Sequence, residues 1–470
     1  MLKAPTFLEL YEVPYRGASD WTLHRGGAVF LEGAVNAAIT GCNIHSVGGN
    51  AIYLSHDVRN ATVRQNQIGP GVGDSGVAVS GSLVRSSGLG NLNFPNVVDV
   101  SNNTIFDIGI FGKQVSAVFI SASGNVTVSD NRISGSPSSG VKINDGFVGG
   151  HKIIWNHISN TTREVSDMGT INLHNRDRFY TPWDSPVWNK KVNPPGSGWP
   201  APQYPVPVPR GPVDVDTVYP IRISNNLLES RGRSGVANDH GAEWWGKQAA
   251  ISCVDVDDGP VKYDIVENVC ITDNTAGFKV GHVVDRIHVA NNIVLAHNVT
   301  ASADAFEVPK QPFNNSNSFT RNILVNMDMD SAGSLDDGNI DGRGRSARSS
   351  SSSSPSGAVE VGSGTRKPPS WKFSSYCVNN ATLVPPPSIV DWNMYYALNN
   401  ATKLGFCRSY QYWTKGLGLD QHSLFHVDPQ LENIQPGSTG YPFSVRVGEA
   451  SPAIANLGFL EFKYGPREFV

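Results

Sequence analysis

A repeat shorter than a domain limits a chain to very few folds, and this chain carries one. An asparagine followed one or two positions later by a branched apolar residue, usually closing a short apolar run, returns nine times. The instances are Asn43-Ile44, Asn66-Gln67-Ile68, Asn103-Thr104-Ile105, Asn131-Arg132-Ile133, Asn156-His157-Ile158, Asn226-Leu227-Leu228, Asn268-Val269, Asn292-Ile293 and Asn322-Ile323. Where no long insertion intervenes, successive asparagines lie 23, 28, 25, 24 and 30 residues apart. A repeat of that length marks a solenoid. Each unit holds two or three strand-like pieces, such as Val126-Val128, Gly140-Ile143 and Lys152-Ile154, and none has a run long enough for an amphipathic helix. Strands so short must pair with their equivalents in the neighbouring coil, which predicts an all-β fold, a parallel β-helix. Asparagine suits the corners because it tolerates left-handed backbone and its amide bonds backbone groups at a bend. Stacked corners can then pair amide to amide along the axis.

A chain of 470 residues could make two or three average domains, but a solenoid grows along one axis and need not divide. Residues 1–28 are expected as a lead-in segment and 29–328 as the β-helix, with insertions at 81–95, 177–218 and 230–247. The Ser349–Ser354 run marks 329–370 as a flexible linker, and 371–470 reads as a β-rich cap or last coils. A formal net charge of -4 supplies no field for nucleic acid or membrane surfaces. No stretch of 18 apolar residues is present to span a bilayer.

The start Met1-Leu2-Lys3-Ala4-Pro5 carries no secretory signal, and Met1–Tyr15 has no amphipathic helix to cap a solenoid, so the expectation is an N-terminus that begins inside a larger domain. Sequons at Asn60, Asn102, Asn125, Asn160, Asn298, Asn314, Asn380 and Asn400 point to an extracellular or cell-surface glycoprotein. Cys42, Cys253 and Cys270 sit in apolar strands and are expected as small buried hydrophobes, leaving Cys377 and Cys407 as the pair that could bridge. No C-x-x-C spacing suggests a metal, and no cofactor is expected.

Aligning the strand after each Gly/Ala turn gives the inward pairs Ile52/Leu54, Val77/Val79, Val118/Ile120, Val141/Ile143, Ile251/Cys253 and Phe278/Val280. The position just past the strand changes from histidine or small residues to Asp145 and Asp255. The segment Ser166–Arg178, its register open by one residue, brings Asp167, His174, Arg176 and Asp177 to the same edge. Three adjacent coils thus gather Asp145, Asp167, Asp177, Asp255, Asp257 and Asp258, with Lys142, His174, Arg176, Arg178 and Lys279. Coils about 4.8 Å apart hold carboxylates too close for all to ionise, so some pKa values should rise and others fall. Acid/base cleavage of a glycosidic bond uses such a split. Asp-Gly pairs such as Asp145-Gly146 and Asp258-Gly259 also serve as plain turns. The third insertion adds Asp239, His240, Trp244 and Trp245, whose aromatic faces suit sugar rings or loop packing.

Ser166-Asp167-x-Gly169, then Ile251-x-x-x-Asp255-x-Asp257-Asp258-Gly259-x-x-x-Tyr263 and Gly277-Phe278-Lys279, resemble the right-handed parallel β-helix proteins of the pectate-lyase-like superfamily. The pattern is most similar to the β-helical glycoside hydrolases of family 141, which include α-L-fucosidases and xylanases. The closing Trp413…Gly418-Leu419-Asp420-Gln421-His422-Ser423…Asp428-Pro429…Ser451-Pro452-Ala453 resembles the same proteins' C-terminus. The resemblance implies a carbohydrate substrate and catalysis by Asp167 with Asp257 or Asp258; the expected partner is a polysaccharide or glycan, and the expected state a monomer. Asp145, His174, Arg176, Asp177, Arg178, Asp239, His240, Trp244, Trp245, Asp255 and Lys279 would contact the sugar. Two rivals stay open: a polysaccharide lyase with an Arg or Lys base and Ca²⁺, and a glycan-binding or adhesive surface solenoid without catalysis. Retention and inversion also stay open.

Overall fold

A computed structural model describes residues 11–12, 23–81, 94–144, 148–165, 168–175, 217–231, 251–257, 259–273, 277–280, 284–297, 306–307, 316–327, 370–372, 389–397, 403–405, 411–416, 418–433 and 445–467. Three long sheets account for most of it. The first has nine strands, from Gly27–Leu31 to Phe306–Glu307; the second has ten, from Ala38–Thr40 to Ile389–Asp391; the third has eleven, from Asn43–Ile44 to Leu424–Phe425. Within these sheets each strand pairs in parallel with the equivalent strand of the next coil. The all-β parallel solenoid expected from the repeat is the observed fold.

Alternation fills the interior. In the first sheet one inward column runs Val29, Ile52, Val77, Val118, Val141, Ile171, Val254, Phe278. From Ile52 onward its members are fully buried. In the third sheet the column is Ile44, Ile68, Ile105, Ile133, Ile158, Leu228, Cys270, Val294, Leu324, Tyr395, Phe425. Branched side chains stacked in register pack well on a pleated surface and lose little rotamer freedom there.

The asparagines form a continuous ladder two residues before that third-sheet column. Asn66, Asn103, Asn131, Asn156, Asn226, Asn268, Asn292 and Asn322 each donate Nδ2–H to the Oδ1 of the next, ending at Asn393, over 2.9–3.1 Å. The same Oδ1 accepts the preceding asparagine's backbone N–H. Amide pairing along the axis is therefore present, with two corrections. The left-handed residue is the one before: Gln65, Asn102, Asp130, Trp155, Asn225, Glu267, Asn291, Arg321 and Trp392 have positive φ. That residue turns the chain, which swings the following asparagine inward. Asn43 is outside the ladder; Cys42 holds the place and donates its N–H to Asn66 Oδ1 at 2.9 Å, while Asn43 is exposed.

The cysteine expectation is also overturned. Cys253 and Cys270, 17 residues apart, form a disulfide that crosses the core between the first and third sheets. Cys42 is exposed and free. Cys377 and Cys407 lie outside the described residues.

The third sheet's outward side changes character along the axis, from Gln67, Thr104, Arg132 and His157 to Leu227, Val269, Ile293, Ile323 and Met394. The apolar half packs against Val445, Val447, Ala453, Leu457 and Phe459 in a second core. The helix Pro452–Leu457 in that flank is capped by Ser451, whose side chain accepts from Ala453 N, and closed by left-handed Gly458. Beyond it the tail runs back along the corners, bonding Asn291, Asn225 and Asp130.

Candidate functional site

The outward face of the first sheet carries the chemistry. Its register makes one outward column of Phe30, Tyr53, Ala78, Phe119, Lys142, Asn172, Asp255 and Lys279. Two residues on, a second column follows the strands: Glu32, Ser55, Ser80, Ser121, Asn144, His174 and Asp257. Backbone N–H bonds from Ser55, Asn144, His174 and Asp257 to the preceding coil fix it. The first column begins with aromatic or small residues and the second with Glu32 and three serines; larger polar and charged side chains fill both from the coil of Lys142.

The polar half is buried although it faces away from the core. Lys142, Asn144, Asn172, His174 and Asp255 are all fully inaccessible, and Asp257 is half-buried. A charge in such a place must be paired or neutralised. Asp255 Oδ2 takes an ion pair from Lys279 at 3.1 Å. Lys142 Nζ donates to the Gln114 carbonyl at 3.2 Å. Burial brings the Lys142 amine down to about 7, with Asp257 and Asp255 pulling the other way. Asn172 stands between Lys142 and Asp255, and neither its Oδ1 nor its Nδ2 has a hydrogen-bond partner among the described residues. A buried amide without partners costs the full desolvation penalty of both atoms, so such a group in a native protein calls for a ligand, a water or another polar group to meet it.

Of the residues singled out from sequence, the columns bring together His174, Asp255, Asp257 and Lys279, with Lys142. Asp145, Asp167, Arg176, Asp177, Arg178, Asp239, His240, Trp244, Trp245 and Asp258 lie outside the described residues. The strand alignment needs one correction. Ile251 pairs with Met168, and it is Val254 and Val256 that continue the inward columns of Val141 and Ile143. The strand Ile251–Val256 starts three positions early, so Asp255 lies within the sheet and Asp257 just past it. Among the described residues, Asp255 is consequently flanked along its column by an amide, Asn172, and an amine, Lys279, and not by another acid. Asn172 and Asn144 were missed. The available signal was the polar residue at an alternate position of Met168–Leu173, legible only once the register is known.

The family model described as right handed beta helix region matches residues 22–178, a third of the chain. Together with the three parallel sheets, which continue beyond that match, this makes the chain a right-handed parallel β-helix protein. No curated protein and no solved structure matches it.

Proposed function

We propose that this protein cleaves glycosidic bonds on the outward face of its first sheet, with Asp257 as general acid and Asp255 as general base. The observation that carries this is the buried polar group of Lys142, Asn172, His174, Asp255 and Lys279 beside the half-buried Asp257. Asp255 and Asp257 are two residues apart along one strand direction, hence on one face, with Cα atoms about 6.6 Å apart at 3.3 Å per residue. Paired carboxyls in inverting glycosidases are roughly 6.5–9.5 Å apart, against about 5–5.5 Å in retaining ones. The spacing leaves room for a water. Lys279 holds Asp255 as the anion able to activate that water, while Asp257, half-buried just past the strand end, delivers a proton to the leaving oxygen. Asn172 and His174 would hold sugar hydroxyls.

The resemblance to family 141 glycoside hydrolases supports a carbohydrate substrate and a role for the Asp257-Asp258 turn. It would take Asp167 as the second carboxylate. Strand geometry favours Asp255 instead: Met168, next to Asp167 in the chain, pairs with Ile251 at the opposite end of the strand from Asp257. An extracellular or cell-surface location fits the core disulfide, since such bonds persist in oxidising compartments.

The test is release of reducing ends from a panel of plant and algal polysaccharides by wild type, Asp255→Asn and Asp257→Asn. Wild type is expected to cleave at least one, and each variant to lose roughly 10²- to 10⁴-fold in rate. Variants as active as wild type, or a wild type inert on every polysaccharide, would refute the assignment. Unsaturated products abolished by a chelator would instead mark a lyase.

A further inference from the structure

The aromatic end of the same columns has no part in that chemistry, yet it is built like a recognition surface. Phe30 is an exposed ring, 42% accessible, stacked on the buried ring of Tyr53 with centroids 5.5 Å apart and planes 26° apart. The Arg25 guanidinium lies over Tyr53 at 5.4 Å from its centroid. Arg25 is itself fixed: Nη1 donates to Ser55 Oγ at 2.8 Å and Nη2 to the Gly81 carbonyl at 3.0 Å. Two residues past Phe30, Glu32 opens the second column. Its Oε2 accepts from Ser55 Oγ at 3.0 Å and meets His56 Nδ1 at 3.2 Å. Both bonds use one oxygen, which leaves Oε1 of this half-exposed carboxylate without a bond among the described residues. The surface therefore offers an immobilised aromatic face beside a pre-oriented hydrogen-bond acceptor.

We infer that Phe30, backed by Tyr53 and flanked by Glu32, is a remote subsite that stacks a sugar unit of a long neutral polysaccharide whose chain extends along the axis toward Asn172. The inference rests on the carbohydrate reading above and narrows it to a polymer. Phe30 lies four coil steps from Lys142 and six from Asp255, about 19 and 29 Å at 4.8 Å per step. Only an extended chain can occupy both ends. The C–H face of a sugar ring complements the aromatic face, and a hydroxyl can donate to Glu32 Oε1. Charge selects the neutral class. The His56 and Ser55 hydrogen bonds hold the Glu32 carboxyl below its usual range, so it is an anion near neutrality and repels acidic glycans. Arg25, the nearby cation, directs three of its N–H groups to Ser55, Ser80 and Gly81 and lays its plane on Tyr53.

Affinity electrophoresis of the full chain through gels cast with xylan, mixed-linkage β-glucan, galactomannan or polygalacturonate tests this. The variants are Phe30→Ala, Phe30→Trp, Glu32→Gln and Asn172→Ala, each checked for an unchanged circular dichroism spectrum. A neutral polysaccharide should retard wild type; Phe30→Ala should bind roughly three- to tenfold more weakly, and Phe30→Trp should restore retention. Retention of Phe30→Ala equal to wild type, with Asn172→Ala impaired, would overturn the subsite and leave the carbohydrate reading standing. Phe30-dependent retention by polygalacturonate alone would overturn the neutral class. A wild type neither retarded nor active on any polysaccharide would remove both.

Discussion

Lys142 stands where a lysine is costly, fully buried on the outward side of a sheet, its amine donating to the Gln114 carbonyl. Burial moves its titration from 10.5 to about 7. Between those values the unfolded chain binds a proton that the folded chain does not, so this residue makes stability rise with pH from about 7 toward 10. Below that window the folded state carries the full penalty of a buried ammonium. Urea unfolding midpoints of wild type should therefore climb across the window, and Lys142→Met should flatten the climb. Parallel pH profiles for the two proteins would show that the amine stays solvated. A residue of the ladder works differently. Asn268 accepts from Asn226 twice and donates to the carbonyls of Ile223 and Val266. Asn268→Ala orphans several buried groups at on the order of 1–3 kcal/mol each. It should lower the unfolding free energy by more than 3 kcal/mol, measured by urea titration.

At the scale of the element, strand rise sets what the carboxylates can do. Carboxylates on alternate residues of one strand spring from Cα atoms about 6.6 Å apart, a spacing that matches the roughly 6.5–9.5 Å of an inverting pair better than the roughly 5 Å that a covalent sugar intermediate requires. The first-formed product should have inverted anomeric configuration, as followed by proton NMR immediately after mixing; a retained anomer would require a different second carboxylate. Elements also decided what could be read from sequence. The third sheet was legible because each ladder asparagine precedes its inward aliphatic by two residues, as in Asn103 to Ile105 and Asn131 to Ile133. The first sheet was misaligned at Ile251 because that strand begins three residues early, and a period-two pattern does not reveal length. The same slip concealed the level at which Asn172 meets Asp255. The Cys253–Cys270 bond was missed because its pairing depends on which sheets face each other across the core, and both cysteines read as ordinary apolar strand residues.

For the whole molecule, the C-terminal segment ties distant coils together. Its tail bonds Asn291 through Leu460, Asn225 through Lys463, and Asp130 through Arg467. No periodicity in the sequence foretells this, since Asp130 and Arg467 are 337 positions apart. Two kinds of anchor can be ranked. Phe459 is 2% exposed within the second core, and truncating a buried phenylalanine costs about 3–5 kcal/mol. Arg467 is largely exposed although Asp130 is not, which limits that pair to about 1 kcal/mol. Phe459→Ala should thus lower the unfolding midpoint far more than Arg467→Ala, and the reverse order in thermal or urea unfolding would contradict the ranking. Repeat, ladder and flank take up the second and third sheets, and the polar groups that could carry function gather on the outward side of the first. The most direct test of that claim is a crystal structure with an oligosaccharide of the preferred polymer. A sugar oxygen within hydrogen-bond reach of the Asn172 amide, between Lys142 and Asp255, is the result expected. A sugar seated on another face, with the Asn172 amide bonded to protein alone, would contradict it.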